Sequence, residues 1–261
     1  MKKLTLAWGV VLAITFFVGP FLWQALASVR PPGASGLSLD AYRHLFSDAS
    51  FGKALLNSFL VALLTTLLSL TFAALAAFAL GKLPMRGKGV ILAAALAAST
   101  FPPIATVSPL FLIIRALGLR DTLAALVLTN VTFALPLALW VLTSFFKDLP
   151  DDLYRAARID GCTPLQAFFR VLLPISAPGL VTTGLLVFVF SWNEFLYALT
   201  FVSSPDKRTV PVAIALFAAE HTEPWAQIAA ASIVATLPLL ILTLVFQRRL
   251  IAGLTAGAVK G

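Results

Sequence analysis

An all-α membrane protein with six transmembrane helices is the fold this sequence predicts, and three observations predict it. Of 261 residues, 60% are hydrophobic and 11% charged, with 21 Phe and 5 Trp, whereas a soluble domain carries about 25% charged residues. A mean hydropathy of +0.97 leaves more apolar surface than one core of this length hides from water, so lipid must cover the remainder. Charged residues are also absent from six long stretches, 4–29, 54–81, 89–114, 122–146, 171–193 and 224–247. Each exceeds the roughly 20 helical residues that cross a hydrocarbon core, and a helix satisfies its own backbone hydrogen bonds there. Finally, the basic residues alternate between the connecting segments. Placing both termini inside puts twelve of the 19 Lys and Arg on the cytoplasmic side, as the positive-inside rule asks.

The spans are placed at about 5–29, 57–81, 90–114, 123–146, 179–203 and 226–247, making residues 1–261 one transmembrane domain with a tail at 248–261. Lys2, Lys3 and the Ala25-Leu26-Ala27 run imitate a secretory signal, but signal cores run about 7 to 15 apolar residues and this stretch is longer, so it is kept as the first span. Phe101-Pro102-Pro103 and Ser108-Pro109 interrupt the third span, and Asn130, Thr132 and Pro136 the fourth. Such interruptions suit backbone facing a cavity or polar packing between helices. Pro31-Pro32-Gly33 and Ser203-Ser204-Pro205-Asp206 are turn chemistry. Thr209 to Ala219 is too short to span and suits a surface or re-entrant helix that supports an outer docking face.

Several chemistries are excluded. Cys162 is the single cysteine, so no intrachain disulfide forms, and neither it nor His44 and His221 belongs to a metal-ligand spacing. No Lys follows a Gly and precedes Ser or Thr as a phosphate-binding loop needs. The spans hold hydroxyls and amides with Glu194 near one end, a poor basis for intramembrane catalysis or for an ion-driven transporter. The net charge of +8 is read as a topology signal and an attraction to anionic lipid, with no nucleic-acid partner.

The cytoplasmic segment 147–178 reads as two short helices. Pro150, Asp151 and Asp152 suit a first helical turn, and Gly161 suits a left-handed stop. Thr163, Pro164 and Gln166 form a capping box for the second helix. Leu165, Phe168, Phe169 and Leu172 then recur at the spacing of one apolar face, which wants a membrane or a protein groove. Glu194 lies about 22 Å along the fifth span if that helix starts near Gly179. With Trp192, Asn193 and Tyr197 around it, it fits either a sugar path or an interfacial anchor.

These residues resemble a family. Arg155-Ala156-Ala157, then Gly161, then Val171-Leu172-Leu173-Pro174 are similar to the EAA loop of ABC importer permeases, with Arg155 where the pattern usually has Glu. Ser191-Trp192-Asn193-Glu194-Phe195, Arg208-Thr209-Val210-Pro211-Val212 and the ending from Gln247-Arg248-Arg249 to Gly261 extend the likeness to the maltose-transporter G-subunit type of carbohydrate permease. The resemblance implies a bacterial inner-membrane subunit with no catalytic residue of its own. It implies a second homologous permease as heterodimer partner, a cytoplasmic ABC ATPase dimer that holds ATP and Mg, and an extracytoplasmic sugar-binding protein. The coupling loop would comprise Arg155, Ala156, Ala157, Asp160, Gly161, Leu165, Phe168, Phe169, Leu173 and Pro174. Trp192, Asn193, Glu194, Tyr197 and Asn130 are the candidate substrate path. A subunit of a secondary transporter or channel, and a membrane scaffold that transports nothing, are the other classes the residues allow.

Overall fold

Leucine- and alanine-rich stretches without charge leave the chain one economical way to satisfy its backbone, and every regular element among the described residues is helical. The computed structural model describes the backbone of residues 2–30, 36–47, 49–220 and 225–256, and side chains within 6–30, 36–47, 49–217 and 225–247. His221, the Pro31-Pro32-Gly33 turn and the last five residues of the tail lie outside these.

In chain order the helices are α1 (Lys2–Val29), α2 (Asp40–Ser47), α3 (Ala49–Lys82), α4 (Lys88–Ser99), α5 (Pro103–Ala116) and α6 (Leu123–Asp148). Then come α7 (Asp151–Ile159), α8 (Pro164–Ala167), a π-helical turn (Phe168–Leu172), α9 (Leu173–Ile175), α10 (Ala177–Trp192), α11 (Leu196–Phe201), a 3-10 turn (Pro205–Lys207), α12 (Val210–Glu220) and α13 (Trp225–Ala256). Four helices are individually long and apolar enough to cross a membrane: Leu6–Val29, Ala49–Lys82, Leu123–Asp148 and Trp225–Gln247. Two further pairs reach that length only across a bend, α4 with α5 at 93° and Pro164–Ile175 with α10 at 78°.

The first bend falls within the stretch taken from sequence as span 90–114. Pro102 and Pro103 supply no N–H, and Pro102 is held extended at φ −59°, ψ 125° because another proline follows it. The helix therefore stops and restarts at a right angle. The fifth stretch, taken as 179–203, is also divided, between Trp192 and Leu196. No proline or glycine marks that break. Asn193 instead donates its side-chain amide to the Val189 carbonyl at 2.8 Å, closing α10 at its own C-terminus.

Packing centres on α3, which runs against α6 and α10. At one end of the bundle Phe78, Phe146, Phe168 and Leu172 are almost fully buried together. Toward the other end Val61, Ile114, Leu126, Tyr197 and Phe201 form a second core. α1 packs on α13 and α2, yet Trp8, Phe16, Phe17 and Trp23 on it are all at least 70% exposed, as befits a helix whose solvent is lipid.

Close helix approach sets the tightest constraint. A Cβ on Gly81 would sit 2.9 Å from the Phe146 Cβ, and one on Gly179 would sit 2.7 Å from the Phe145 ring. Small residues are what membrane helices use to bring backbones together, since lipid removes most of the hydrophobic drive. Gly81→Ala should lower stability by about 1–3 kcal/mol through overpacking. Gly52→Ala, with nothing within 4 Å of its new methyl, should be neutral or gain about 0.5–1 kcal/mol as a helix interior position. Thermal unfolding in detergent checks the pair; equal effects would remove the close-approach account.

Candidate functional site

The loop between α6 and α10 is built as its residues dictate. Pro150 sits before α7 with Asp151 and Asp152 in the first turn. Gly161 takes φ +84° and completes a Schellman ending: its N–H donates to the Arg158 carbonyl at 3.2 Å and the Cys162 N–H to the Ala157 carbonyl at 3.0 Å. Arg158 adds a hydrogen bond from Nη1 to the Cys162 carbonyl at 2.5 Å. Thr163 then accepts from the Gln166 N–H at 3.2 Å while the Gln166 side chain accepts from the Thr163 N–H at 2.8 Å, a complete capping box. Downstream, Pro174 cannot donate to the Arg170 carbonyl, and the preceding turn widens so that the Leu173 N–H reaches Phe168 instead.

The apolar face expected for the second short helix is divided rather than shared. Phe168 and Leu172 are 1% and 0% exposed and belong to this chain's own core, whereas Leu165 and Phe169 are 56% and 52% exposed. The reason is geometric. The row Phe168, Leu172 faces Phe78, whose ring centroid is 5.1 Å from that of Phe168, and the row one step round the helix is left outside. Ile159, the last residue of α7, is 85% exposed as well, and sequence reasoning missed it. Arg155, Ala156, Asp160, Gly161 and Pro174 are exposed, Leu173 is half-buried, and Ala157 is buried. Arg155 approaches Asp152 at 3.9 Å, a long contact between well exposed groups, which is worth little.

The five candidate path residues do not line one channel. Trp192 is buried and stacked on Phe188 at 5.8 Å. Asn130 is buried, donating to the Ser191 hydroxyl at 2.8 Å. Its side-chain oxygen has no hydrogen-bond partner among the described residues. Asn193 is exposed beside α12 and α13. Glu194 and Tyr197 do meet, in a cavity of about 340 Å³ walled by Phe101, Pro103, Phe133 and Phe190. This cavity opens where the broken third span faces the broken fifth. The Glu194 carboxylate accepts from the Tyr197 N–H at 2.7 Å and the Ala198 N–H at 3.0 Å, capping α11. Tyr197 packs on Phe133 with centroids 5.3 Å apart and hydrogen-bonds the Thr106 hydroxyl at 2.7 Å. One edge carboxylate among aromatic faces is chemistry that a sugar ring fits, with its C–H faces on the rings. The cap gives Glu194 a structural reason to be there as well.

At the opposite end from the 147–178 loop, Asp121 stands at φ +60° and staples two connections. Its carboxylate accepts from the Ser203 and Ser204 N–H groups at 2.9 and 3.0 Å, from the Ser204 hydroxyl, and from Lys207 at 3.3 Å. Lys207 also donates to the Asp121 carbonyl at 2.7 Å. Asn57 holds the same loop through the Asp206 and Arg208 carbonyls at 2.9 and 3.0 Å. The Ser204 hydroxyl and N–H, then the Ser203 N–H, hold the Asp121 carboxyl well below the usual carboxylate range.

Over residues 69–255 the chain matches the family described as binding-protein-dependent transport system inner membrane component. It is 44% identical over 97% of both chains to the trehalose transport system permease protein SugB of Mycobacterium tuberculosis. It is 40% identical to the trehalose/maltose transport system permease protein MalG of Thermococcus litoralis, covering 100% of this chain and 98% of that one. Its fold matches a chain of a bacterial ABC transporter involved in import of the acidic polysaccharide alginate, with a TM-score of 0.80 over 95% of this chain and 96% of the other at 20% identity.

Two outcomes follow from this geometry. The depressed Asp121 carboxyl contributes stability in full above about pH 4, the range of an unfolded Asp, and loses it as pH falls further. Thermal unfolding in detergent between about pH 6 and pH 3 should therefore fall more steeply for the native chain than for Asp121→Ala; parallel profiles would dismiss the staple. At Gly161 an added Cβ meets nothing within 4 Å, so the penalty within this chain is conformational alone. Gly161→Val should cost about 1–2 kcal/mol and Gly161→Asn distinctly less, read as amide exchange at Cys162. Equal exchange in both variants would show that the left-handed turn is not what matters.

Proposed function

The chain belongs to the family of binding-protein-dependent transport system inner membrane components, and we propose that it forms half of the transmembrane path for a small oligosaccharide. In this reading a second, homologous permease completes the path, and a cytoplasmic ABC ATPase dimer carries ATP and Mg. An extracytoplasmic binding protein delivers the sugar. The observation that carries it is the outward face of the 147–178 loop. Ile159, Leu165, Phe169 and Arg155 are all exposed, on short helices pinned by a Schellman ending and a capping box. Rigid, exposed and apolar surface of this kind is what a protein groove takes up. The disaccharides named for the trehalose and trehalose/maltose relatives and the aromatic cavity at Glu194 and Tyr197 support a sugar as cargo. The exposed length of α1 supplies a surface for the second permease or for lipid.

The same reading puts both termini and the 147–178 loop in the cytoplasm, with Asp121 and the Ser203–Arg208 segment outside. Cys162, the single thiol, reports it: an impermeant maleimide should label inside-out vesicles stripped of ATPase and leave intact spheroplasts largely unlabelled. Co-expression with the neighbouring transporter genes, purification in mild detergent and disaccharide uptake test the assembly. Leu165→Asp and Phe169→Asp should each reduce ATPase recovery by about tenfold or more, as removal of an interface anchor does, with the permease still at normal levels in the membrane. Phe168→Ala should instead lower the amount of folded permease, because its ring fills this chain's own core. Undiminished ATPase recovery with both Asp variants would sink the coupling assignment.

A further inference from the structure

Lys82 is one of the 19 Lys and Arg of the chain, and the structure gives it a setting that a surface charge does not have. It is the last residue of α3, and its side chain is 1% exposed. Its ammonium donates to the Leu149 carbonyl and to the Asp151 carboxylate, both at 2.6 Å. Leu149 is the residue that closes α6 and Asp151 is the first of α7. One ammonium thus ties the ends of three helices together at the corner where the membrane bundle becomes the loop. Each contact has a physical cause. The Leu149 carbonyl closes α6 in an extended conformation, at ψ 140°, and a terminal carbonyl of this kind has no intrahelical donor, so a cation can supply one. An ionised acceptor shortens and strengthens the Asp151 bond. Burial removes the water that would otherwise compete for the ammonium.

The neighbouring contacts differ in kind. Phe78, one turn back on α3, meets Tyr154, Phe168 and Phe146 at centroid distances of 5.8, 5.1 and 6.4 Å. Such contacts hold the loop against the bundle but are non-directional and allow sliding. Hydrogen bonds from a buried cation fix direction and register. Gly81, beside Lys82, brings α3 against Phe146 closely enough that not even a methyl group fits between them.

We propose that Lys82 is a positioning residue for transport, a latch that makes the 147–178 loop and the end of α3 move as one body when the loop is displaced. The proposal rests on the coupling assignment made above. Without the latch the corner at Leu149–Asp151 hinges, and displacement of α7 is absorbed locally instead of reaching α3 and the helices packed on it. Asp151, 67% exposed at its side chain, holds the outer side of the latch, and the Leu149 carbonyl holds the inner side.

The test uses the complete transporter in proteoliposomes, with Lys82→Met, Lys82→Arg and Asp151→Asn, and reads ATP hydrolysed per sugar imported beside ATPase stoichiometry. Lys82→Met should bind the ATPase at normal stoichiometry while the ATP consumed per sugar rises about tenfold or more, the scale of a lost charge-assisted hydrogen bond. Asp151→Asn should raise the ratio about threefold, because the Leu149 contact survives. Lys82→Arg, which keeps the cation, should restore most of the coupling lost in Lys82→Met. A ratio within about twofold of native in Lys82→Met overturns the latch, as does loss of ATPase from that variant, which would make Lys82 a folding or docking residue. Should Lys82→Met be too scarce to assay, a native ratio in the exposed-site variant Asp151→Asn overturns it equally. Failure of the coupling assignment itself is separable, because the native complex would then lack an ATPase altogether.

Discussion

In a hydrocarbon solvent every backbone N–H and C=O must find its partner within the chain, and that requirement governs each departure from a straight helix here. The third span breaks at Pro102-Pro103, residues that have no N–H to leave unpaired. The fifth breaks at Asn193 and Glu194: the Asn193 amide adds a second donor to the Val189 carbonyl, which already takes the Asn193 N–H, and the Glu194 carboxylate supplies the acceptor that the Tyr197 and Ala198 N–H groups lack. The two breaks meet at Tyr197, whose hydroxyl lies 2.7 Å from the Thr106 hydroxyl and 3.2 Å from the Pro103 carbonyl on the third span. A cavity exists at that point because the rules that keep the bundle helical are suspended there, and because both suspensions are satisfied locally.

The same requirement explains how much was legible in the sequence. The capping box, the left-handed Gly161 and the double proline are local signals, and each has its local counterpart in the structure. What the sequence did not disclose is long-range. Nothing near Lys82 in the chain distinguishes it from an ordinary topology charge, since its partners lie at Leu149 and Asp151. Asp121 looks like a loop residue until Ser203, Ser204 and Lys207 are brought to it. Helical periodicity gave the apolar stripe Leu165, Phe168, Phe169, Leu172 but not its division, because periodicity says which residues share a face and not where a neighbouring helix crosses it.

The candidate path fared differently for the same reason. Trp192, Asn193, Glu194 and Tyr197 are consecutive enough to suggest one cluster, but the break divides them into two pairs. Trp192 and Asn193 border one cavity beside α12 and α13, with Trp192 stacked on Phe188, and Glu194 with Tyr197 faces another. A polar pair that caps a helix inside an apolar run is detectable in principle: Asn at the end of one helical segment, with an acidic residue three before the next segment's first free amides.

The divided stripe on the short helix after Thr163 has a consequence for how such a subunit changes over time. Phe168 and Leu172 answer to Phe78 and Phe146 in the same polypeptide, so their substitutions can be compensated by one gene. Leu165, Phe169 and Ile159 are exposed and belong to none of the buried cores of the described residues, so under the coupling assignment proposed above their compensation comes from another gene. In that case the buried row and the outer residues of one short loop are inherited under different pressures. An exchange of partner specificity between related subunits needs only the outer row, grafted without disturbing the residues that hold the helix in place.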